Sequence, residues 1–166
     1  MLVMVTDDVA KGHILITGGS GFIGSYLSDE LTKAGYRVNS LSRRLGTNES
    51  HICADLSNRE DVKELANKFS CVDTIIHCAA IAHGKNIPNG YSVSDFNSLI
   101  TKNILDAFGS FKIRWIFMSS IAVYGEIYSE YKIPLTLSPQ PIDSYGLGKL
   151  NDERVFISSC KHLDIL

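Results

Sequence analysis

An α/β fold is predicted, in which a doubly wound parallel sheet lies between two helical layers. Three observations predict it. Short apolar runs of strand length alternate with amphipathic helical patterns along nearly the whole chain, the order that gives parallel strands joined by helical crossovers. A glycine-rich turn, Gly18-Gly19-Ser20-Gly21-Phe22-Ile23-Gly24, separates the first apolar run from the first helical pattern. That is where a dinucleotide phosphate site belongs, because glycine lets backbone approach a pyrophosphate at a helix N-terminus. Third, the chain has 166 residues, 45% of them hydrophobic, enough for one domain with a real core.

The elements follow in order. His13–Thr17 is the first strand. Ser25–Ala34 is its helix, with Leu27 and Leu31 one turn apart and Gly35 as the stop. Arg37–Ser42 and the short run His51–Ala54 read as strands two and three. Ser57 or Asn58 can cap a helix running through Phe69, with Val62, Leu65, Ala66 and Phe69 on one face. Thr74–Cys78 is strand four. A longer helix over Ser92–Phe108 presents Phe96, Leu99, Ile100, Ile104, Leu105 and Phe108 to the core, and Arg114–Ser119 is strand five. Pro134, Pro139 and Pro141 mark a loop. The last helix spans about Ser144–Cys160. Leu163-Asp164-Ile165-Leu166 reads as the opening of a sixth strand at which the chain stops, so a fragment of a longer protein is expected. Residues 1–12 form an N-terminal extension to a dinucleotide-binding, Rossmann-type domain over 13–166. Phe108, Phe111 and Trp115 read as core or interface.

Composition excludes other classes. The formal net charge is −2 and no Lys/Arg block forms a basic patch, so nucleic acid is not an expected partner. No apolar run approaches the roughly 18–20 residues that span a bilayer. The N-terminus carries Asp7 and Asp8 and lacks a basic region followed by a long apolar one, so a cytoplasmic protein without membrane attachment is expected. Cys53, Cys71, Cys78 and Cys160 show no C-x-x-C spacing. Cys53 and Cys78 fall in strands, where cysteine serves as a small hydrophobe. No metal site is expected: no second His or acidic group stands at ligand spacing from His77, which is read as satisfying a backbone group. His83 reads as an exposed loop histidine.

In sheets of this kind ligands bind beyond the carboxyl ends of the strands. Strand three ends at Asp55-Leu56, strand four at His77-Cys78-Ala79-Ala80 and strand five at Ser119-Ser120. Ala79 and Ala80 leave room for a flat cofactor. Tyr145-x-x-x-Lys149 places a phenol and an ammonium on one helix face. A nearby positive charge favours the phenolate, which makes tyrosine a usable base near neutral pH. Tyr128-x-x-x-Lys132 matches the same spacing, but it runs into Pro134 and no extended helix aligns the pair. Gly146 and Gly148 weaken the last helix by about 1 kcal/mol each, which points to a cofactor or substrate approaching there.

Together these motifs, including Ser119-Ser120-Ile121-Ala122-Val123-Tyr124-Gly125, resemble the extended short-chain dehydrogenase/reductases, and within them the nucleotide-sugar epimerase/dehydratase branch. The resemblance covers nearly the whole chain from His13. It implies that Gly18, Gly21 and Gly24, with Phe22 and Ile23 between them, hold the pyrophosphate of NAD(P). Asp55 would bond the adenine amino group, assisted by the Leu56 backbone, and Ala79 and Ala80 would line the groove. Ser120 would bond the reacting oxygen. Tyr145 would be the acid/base, and Lys149 would hold the nicotinamide ribose and depress the Tyr145 pKa. Asn97 matches the asparagine of the helix after strand four and is assigned, with Tyr124, to the substrate side; Tyr124 also suits packing. Ser119 is structural or a secondary contact. A homodimer through the Asn97 and Tyr145 helices is implied as well.

The chain departs from that pattern in two places. An NAD site sets an acid at the end of strand two, where this chain has Ser42, then Arg43 and Arg44. Serine and arginine suit a 2′-phosphate through charge-assisted bonds, so NADP is favoured over NAD. The second departure is length: relatives usually continue well beyond this point into a substrate region, so this chain is expected to bind cofactor and turn over poorly. The leading reading is an epimerase or reductase of a nucleotide sugar. A dehydratase is disfavoured, since Ser120-Ile121-Ala122 offers no acidic pair. A reductase of a non-sugar ketone and a non-catalytic NAD(P)-binding regulator are the alternatives.

Overall fold

The structure is a computed structural model that describes residues 11–44, 50–82, 87–126, 133–134 and 136–166. Residues 1–10, His83 and the Tyr128/Lys132 pair lie outside the described residues.

Six strands form one sheet: β1 (His13–Thr17), β2 (Arg37–Ser42), β3 (His51–Cys53), β4 (Thr74–His77), β5 (Arg114–Phe117) and β6 (Leu163–Ile165), in the order β3-β2-β1-β4-β5-β6. Every neighbouring pair is parallel. This is the dinucleotide-binding strand order, whose direction reverses between β1 and β4 and opens a crevice there. β1 is central because its residues are apolar on both faces; Leu15 and Ile16 point to opposite sides and both are fully buried.

Among the described residues four α-helices cover the sheet unequally: α1 (Phe22–Lys33), α2 (Arg59–Lys68), α3 (Val93–Phe108) and α4 (Ser144–Ser159). The side chains of α2, α3 and α4 enter the larger core with Leu15, Leu41, Ile75 and Phe117. On the other face Leu27 and Leu31 of α1 pack against Ile14, Ile16, Val38 and Ile76. Phe156 of α4 stacks on Phe117 at 4.6 Å and meets Trp115 edge-on at 5.5 Å, an aromatic seam that holds α4 to the end of β5. Phe108 and Trp115 are core, and Phe111 is half-buried beside Phe108.

Local chemistry sets the boundaries. Asn58 caps α2 by accepting the Glu60 N–H, and Ser92 caps α3 by accepting the Asp95 N–H. α1 begins three residues before the expected Ser25, because the last glycine of the turn, Gly24, already belongs to the helix. Its first turn includes Gly24, where a Cβ would lie 2.9 Å from the Gly18 carbonyl carbon. Cys53 is exposed rather than buried, since β3 is a short edge strand; Cys78 is half-buried. Among the described residues no helix is long and apolar enough to cross a membrane.

Candidate active site

A groove of about 280 Å³ opens where β1, β2, β3 and β4 end. Its inner wall is the glycine turn. Gly18 has φ +72°, a conformation that favours glycine, and a Cβ there would lie 2.9 Å from the Ala79 amide nitrogen. The turn is pinned by Gly19 N–H donating to Leu41 O and Gly21 N–H donating to Gly18 O, each at 2.9 Å. α1 opens at Gly21 without a side-chain cap, so its first-turn amides are left for an anion. Gly18, Gly21, Ala79 and Ala80 line the groove as expected. Gly24 is buried beneath the turn, while Phe22 and Ile23 point outward and are 93% and 46% exposed.

Ser42, Arg43 and Arg44 form the rim at the β2 end, with Asp55 and Leu56 on the adjoining wall. Ser42 donates to Arg44 O at 3.0 Å and meets His51 Nε2 at 3.0 Å, and the other ring nitrogen of His51 meets Ser40 Oγ at 2.8 Å. Arg43 lies 5.9 Å from the Phe96 ring. Asp55 Oδ1 accepts both the N–H and the hydroxyl of Ser57, at 2.9 and 2.8 Å. That local turn was not foreseen, and among the described residues Oδ2 has no protein partner.

The second half of the site forms where β5 runs into a 3₁₀ turn, Ile121–Tyr124, packed on α4. Ser120 caps that turn; its Oγ accepts the Ala122 N–H at 3.2 Å, which leaves its own proton to donate. Ser119 hydrogen-bonds Glu153 on α4. Tyr124 is half-buried. Asp143 caps α4 by accepting the Gly146 N–H at 2.6 Å, so the half-buried Tyr145 stands in the first turn. Close packing within the chain also requires glycine at positions 146 and 148. A Cβ at Gly146 would lie 2.9 Å from the Ala122 carbonyl carbon, and one at Gly148 would lie 2.9 Å from Ser94 Oγ. The close neighbours within the chain are the 3₁₀ turn and Pro141 for Gly146, and α3 for Gly148.

Lys149, one turn beyond Tyr145, is 4% exposed. Its Nζ donates to Met118 O at 2.7 Å and stands 4.5 Å from the Phe117 ring centre. Burial pushes its pKa down, and Asp152, then Cys78 and Glu153, push it back up. Asn97 accepts the Ile81 N–H at 2.8 Å and donates to Ile81 O at 2.9 Å. Both ends of its amide therefore hold the loop after β4, a positioning task behind the groove wall.

His77 is fully buried and meets hydroxyls, Thr17 Oγ1 at 2.8 Å and Thr101 Oγ1 at 3.2 Å, not the backbone group expected. Burial, reinforced by Lys149, lowers its pKa to about 3, so the ring is neutral. Among the described residues no three metal-ligating side chains converge. Sequence reasoning missed Thr17, Ser98, Thr101 and Asp152, which join His77 in one buried polar chain. The signal available was the Ser98/Thr101 spacing on α3 opposite Asp152 on α4, which becomes meaningful only once the two helices are known to pack.

The sequence and the fold have counterparts among known proteins. The model of the NAD dependent epimerase/dehydratase family matches residues 14–163. The UDP-glucose 4-epimerase of Streptococcus mutans is 30% identical over 153 residues, covering 86% of this chain and 45% of that protein. The Thermus thermophilus UDP-glucose 4-epimerase, solved in complex with NAD, superposes with a TM-score of 0.79 at 26% identity, over 92% of this chain and 53% of that one. L-threonine dehydrogenase from Clostridium difficile superposes with a TM-score of 0.76 at 28% identity, over 89% and 49%. The chain thus spans about half the length of the relatives it matches. Fold, glycine turn and match range agree that this chain belongs to the NAD dependent epimerase/dehydratase family.

Proposed function

We propose that this chain is the cofactor-holding and acid–base half of a nucleotide-sugar 4-epimerase acting on a UDP-linked sugar. The observation that carries the reading is a buried lysine one turn after Tyr145 with the Ser120 turn packed on the same helix, in a fold whose first helix starts uncapped on a glycine turn. Gly18, Gly21, Ala79 and Ala80 suit a dinucleotide because the turn brings backbone, not side chains, to the groove. When bound, the nicotinamide supplies the hydride acceptor and donor. Ser120 donates its hydroxyl proton to the reacting oxygen. Tyr145 removes the proton of a sugar hydroxyl and later returns it, and the Lys149 ammonium favours the phenolate. Epimerisation results when the sugar carbon is reduced again on its opposite face.

Ser42, Arg43 and Arg44 on the rim support NADP over NAD, because no carboxylate ends β2 to repel a 2′-phosphate. A homodimer through α3 and α4 belongs to the same reading; Leu147 and Val155 on α4 are 48% and 42% exposed. A ketone reductase is the second reading, favoured by the likeness to a threonine dehydrogenase. A non-catalytic regulator has no use for a buried lysine beside a tyrosine.

The test is turnover of UDP-, GDP- and dTDP-sugars, followed by NMR of the anomeric proton with NAD or NADP present, for the chain and for Tyr145→Phe. Slow Tyr145-dependent epimerisation of a UDP-sugar is expected. Turnover unaffected by Tyr145→Phe would refute the assignment, and robust turnover by the chain alone would refute its being half of the machinery.

A further inference from the structure

We propose that Asp152 is a positioning residue, the buried counter-charge of Lys149, tied through Thr101, His77 and Thr17 to the Ala79 amide of the groove wall. The inference deepens the proposed function and rests on Lys149 serving Tyr145. Asp152 is 2% exposed and lies one helical turn beyond Lys149. Its Oδ1 accepts the Ser98 hydroxyl at 2.9 Å and its Oδ2 the Thr101 hydroxyl at 3.2 Å, both from α3. At that exposure the carboxylate is almost cut off from water. A buried carboxylate with two hydroxyl donors still carries its charge at a cost, unless a cation lies near. The cation available is Lys149, whose own direct bonds go to the Met118 carbonyl and the Phe117 ring face, neither of them an anion.

The chain of bonds has one direction. A carboxylate only accepts, so Thr101 donates to it and must accept from His77 Nε2–H. His77 Nδ1 is then an acceptor, filled by the Thr17 hydroxyl, whose oxygen accepts the Ala79 N–H at 3.1 Å. With Asp152 ionised, this one set of proton positions satisfies all five groups and leaves His77 neutral, protonated on Nε2. β1, β4, α3 and α4 are locked in register by it, with the cofactor wall at one end and the tyrosine–lysine helix at the other.

The titratable groups facing Lys149 are Asp152, Glu153 and, one turn earlier, Tyr145 on α4, with His77 and Cys78 at the end of β4; α3 presents the Ser98 and Thr101 hydroxyls. Of these, Asp152 does most to hold the Lys149 proton against burial; burial pushes the Asp152 carboxyl above its ordinary pKa, and the Ser98 and Thr101 hydroxyls, then Lys149, pull it back towards the carboxylate. Without Asp152 the ammonium faces burial with far less opposition.

NMR of the cofactor-free chain tests this. The Asp152 carboxyl carbon, the Lys149 side-chain nitrogen and the His77 ring nitrogens are followed against pH in the unaltered protein, Asp152→Asn and Thr101→Val. We expect Asp152 ionised at pH 7, His77 protonated on Nε2 alone, and a Lys149 midpoint about one pH unit lower in Asp152→Asn, a tenfold loss of proton affinity. Thr101→Val, which keeps the charge, leaves that midpoint within a few tenths of a unit and disturbs the His77 tautomer. A protonated Asp152 at pH 7 in the unaltered chain overturns the proposal, even if Asp152→Asn cannot fold. So does an unmoved Lys149 midpoint in folded Asp152→Asn, the result a purely packing role would give. Because no cofactor is used, a chain that passes yet binds no dinucleotide refutes the proposed function alone.

Discussion

Replacing Gly146 by alanine sets two measurable effects against each other. Alanine is the better helix former by about 1 kcal/mol in a helix interior, so helix propensity alone makes Gly146→Ala stabilising. The packing opposes it. The new Cβ would lie 2.9 Å from the Ala122 carbonyl carbon and closer still to its oxygen, whereas ordinary contact begins at 3.4 Å. Pro141 closes the other side at 3.2 Å, so the 3₁₀ turn must move by about 0.5 Å or more to admit the methyl group. Inserting a methyl group into packed space of this kind costs about 1–3 kcal/mol, and the obstacle here is backbone, which puts the cost at the upper end. The net expectation is a loss of about 1–2 kcal/mol, or about 2–8 °C in Tm for a chain of this size. The moving part carries Ser120, so the change also separates Ser120 from Tyr145. Urea unfolding of Gly146→Ala should be read beside Asn151→Ala, an exposed site on the same helix that gains about half a kcal/mol from propensity. Gly146→Ala as stable as the parent, or more so, would refute the close-approach argument.

Other outcomes follow from named contacts. Thr101→Val leaves His77 Nε2–H and one Asp152 oxygen buried without partners and should cost about 2–4 kcal/mol in chemical unfolding; a loss below about 0.5 kcal/mol would dissolve the chain as drawn. The folded pKa of His77, about 3, lies below its unfolded value of 6.5, so the unfolded chain binds its proton first as pH falls. The contribution of His77 is therefore complete above about pH 6.5 and declines from there towards pH 3, by at most about 1.4 kcal/mol per unit. A His77 ring signal that titrates near pH 6.5 in the folded protein would contradict this. Arg43→Ala should weaken NADP about tenfold, the loss of one charge-assisted bond, and leave NAD within twofold; equal effects on both would return Arg43 to the solvated surface.

The fold was legible because each element is locally consistent. Strand runs, caps at Asn58 and Ser92, and the glycine turn all point to one crossover pattern, and β2 spans the expected Arg37–Ser42. Boundaries slipped where tertiary contacts decided them. α1 starts early because Gly24 must pass under Gly18, and Cys53 is exposed because β3 lies at the sheet edge. The groove and its lining were readable from motif and strand ends alone, although Phe22 and Ile23 face outward and Asn97 turns both ends of its amide to Ile81. Gly146 and Gly148 were visible as anomalies, yet what approaches them is decided by packing between distant segments. The Thr17–His77–Thr101–Asp152 chain draws on four elements, so nothing in local sequence announces it.

The central claim is that a nicotinamide dinucleotide sits on the β1–α1 turn with its reactive end towards α4. Backbone amide NMR during titration with NADP and NAD tests it most directly. The account predicts saturable shifts concentrated at Gly18, Gly21, Ala79, Ala80 and Arg43, with a smaller response at Tyr145 and Lys149. A folded chain that shows no shifts at millimolar dinucleotide, or shifts elsewhere on the surface, would contradict it.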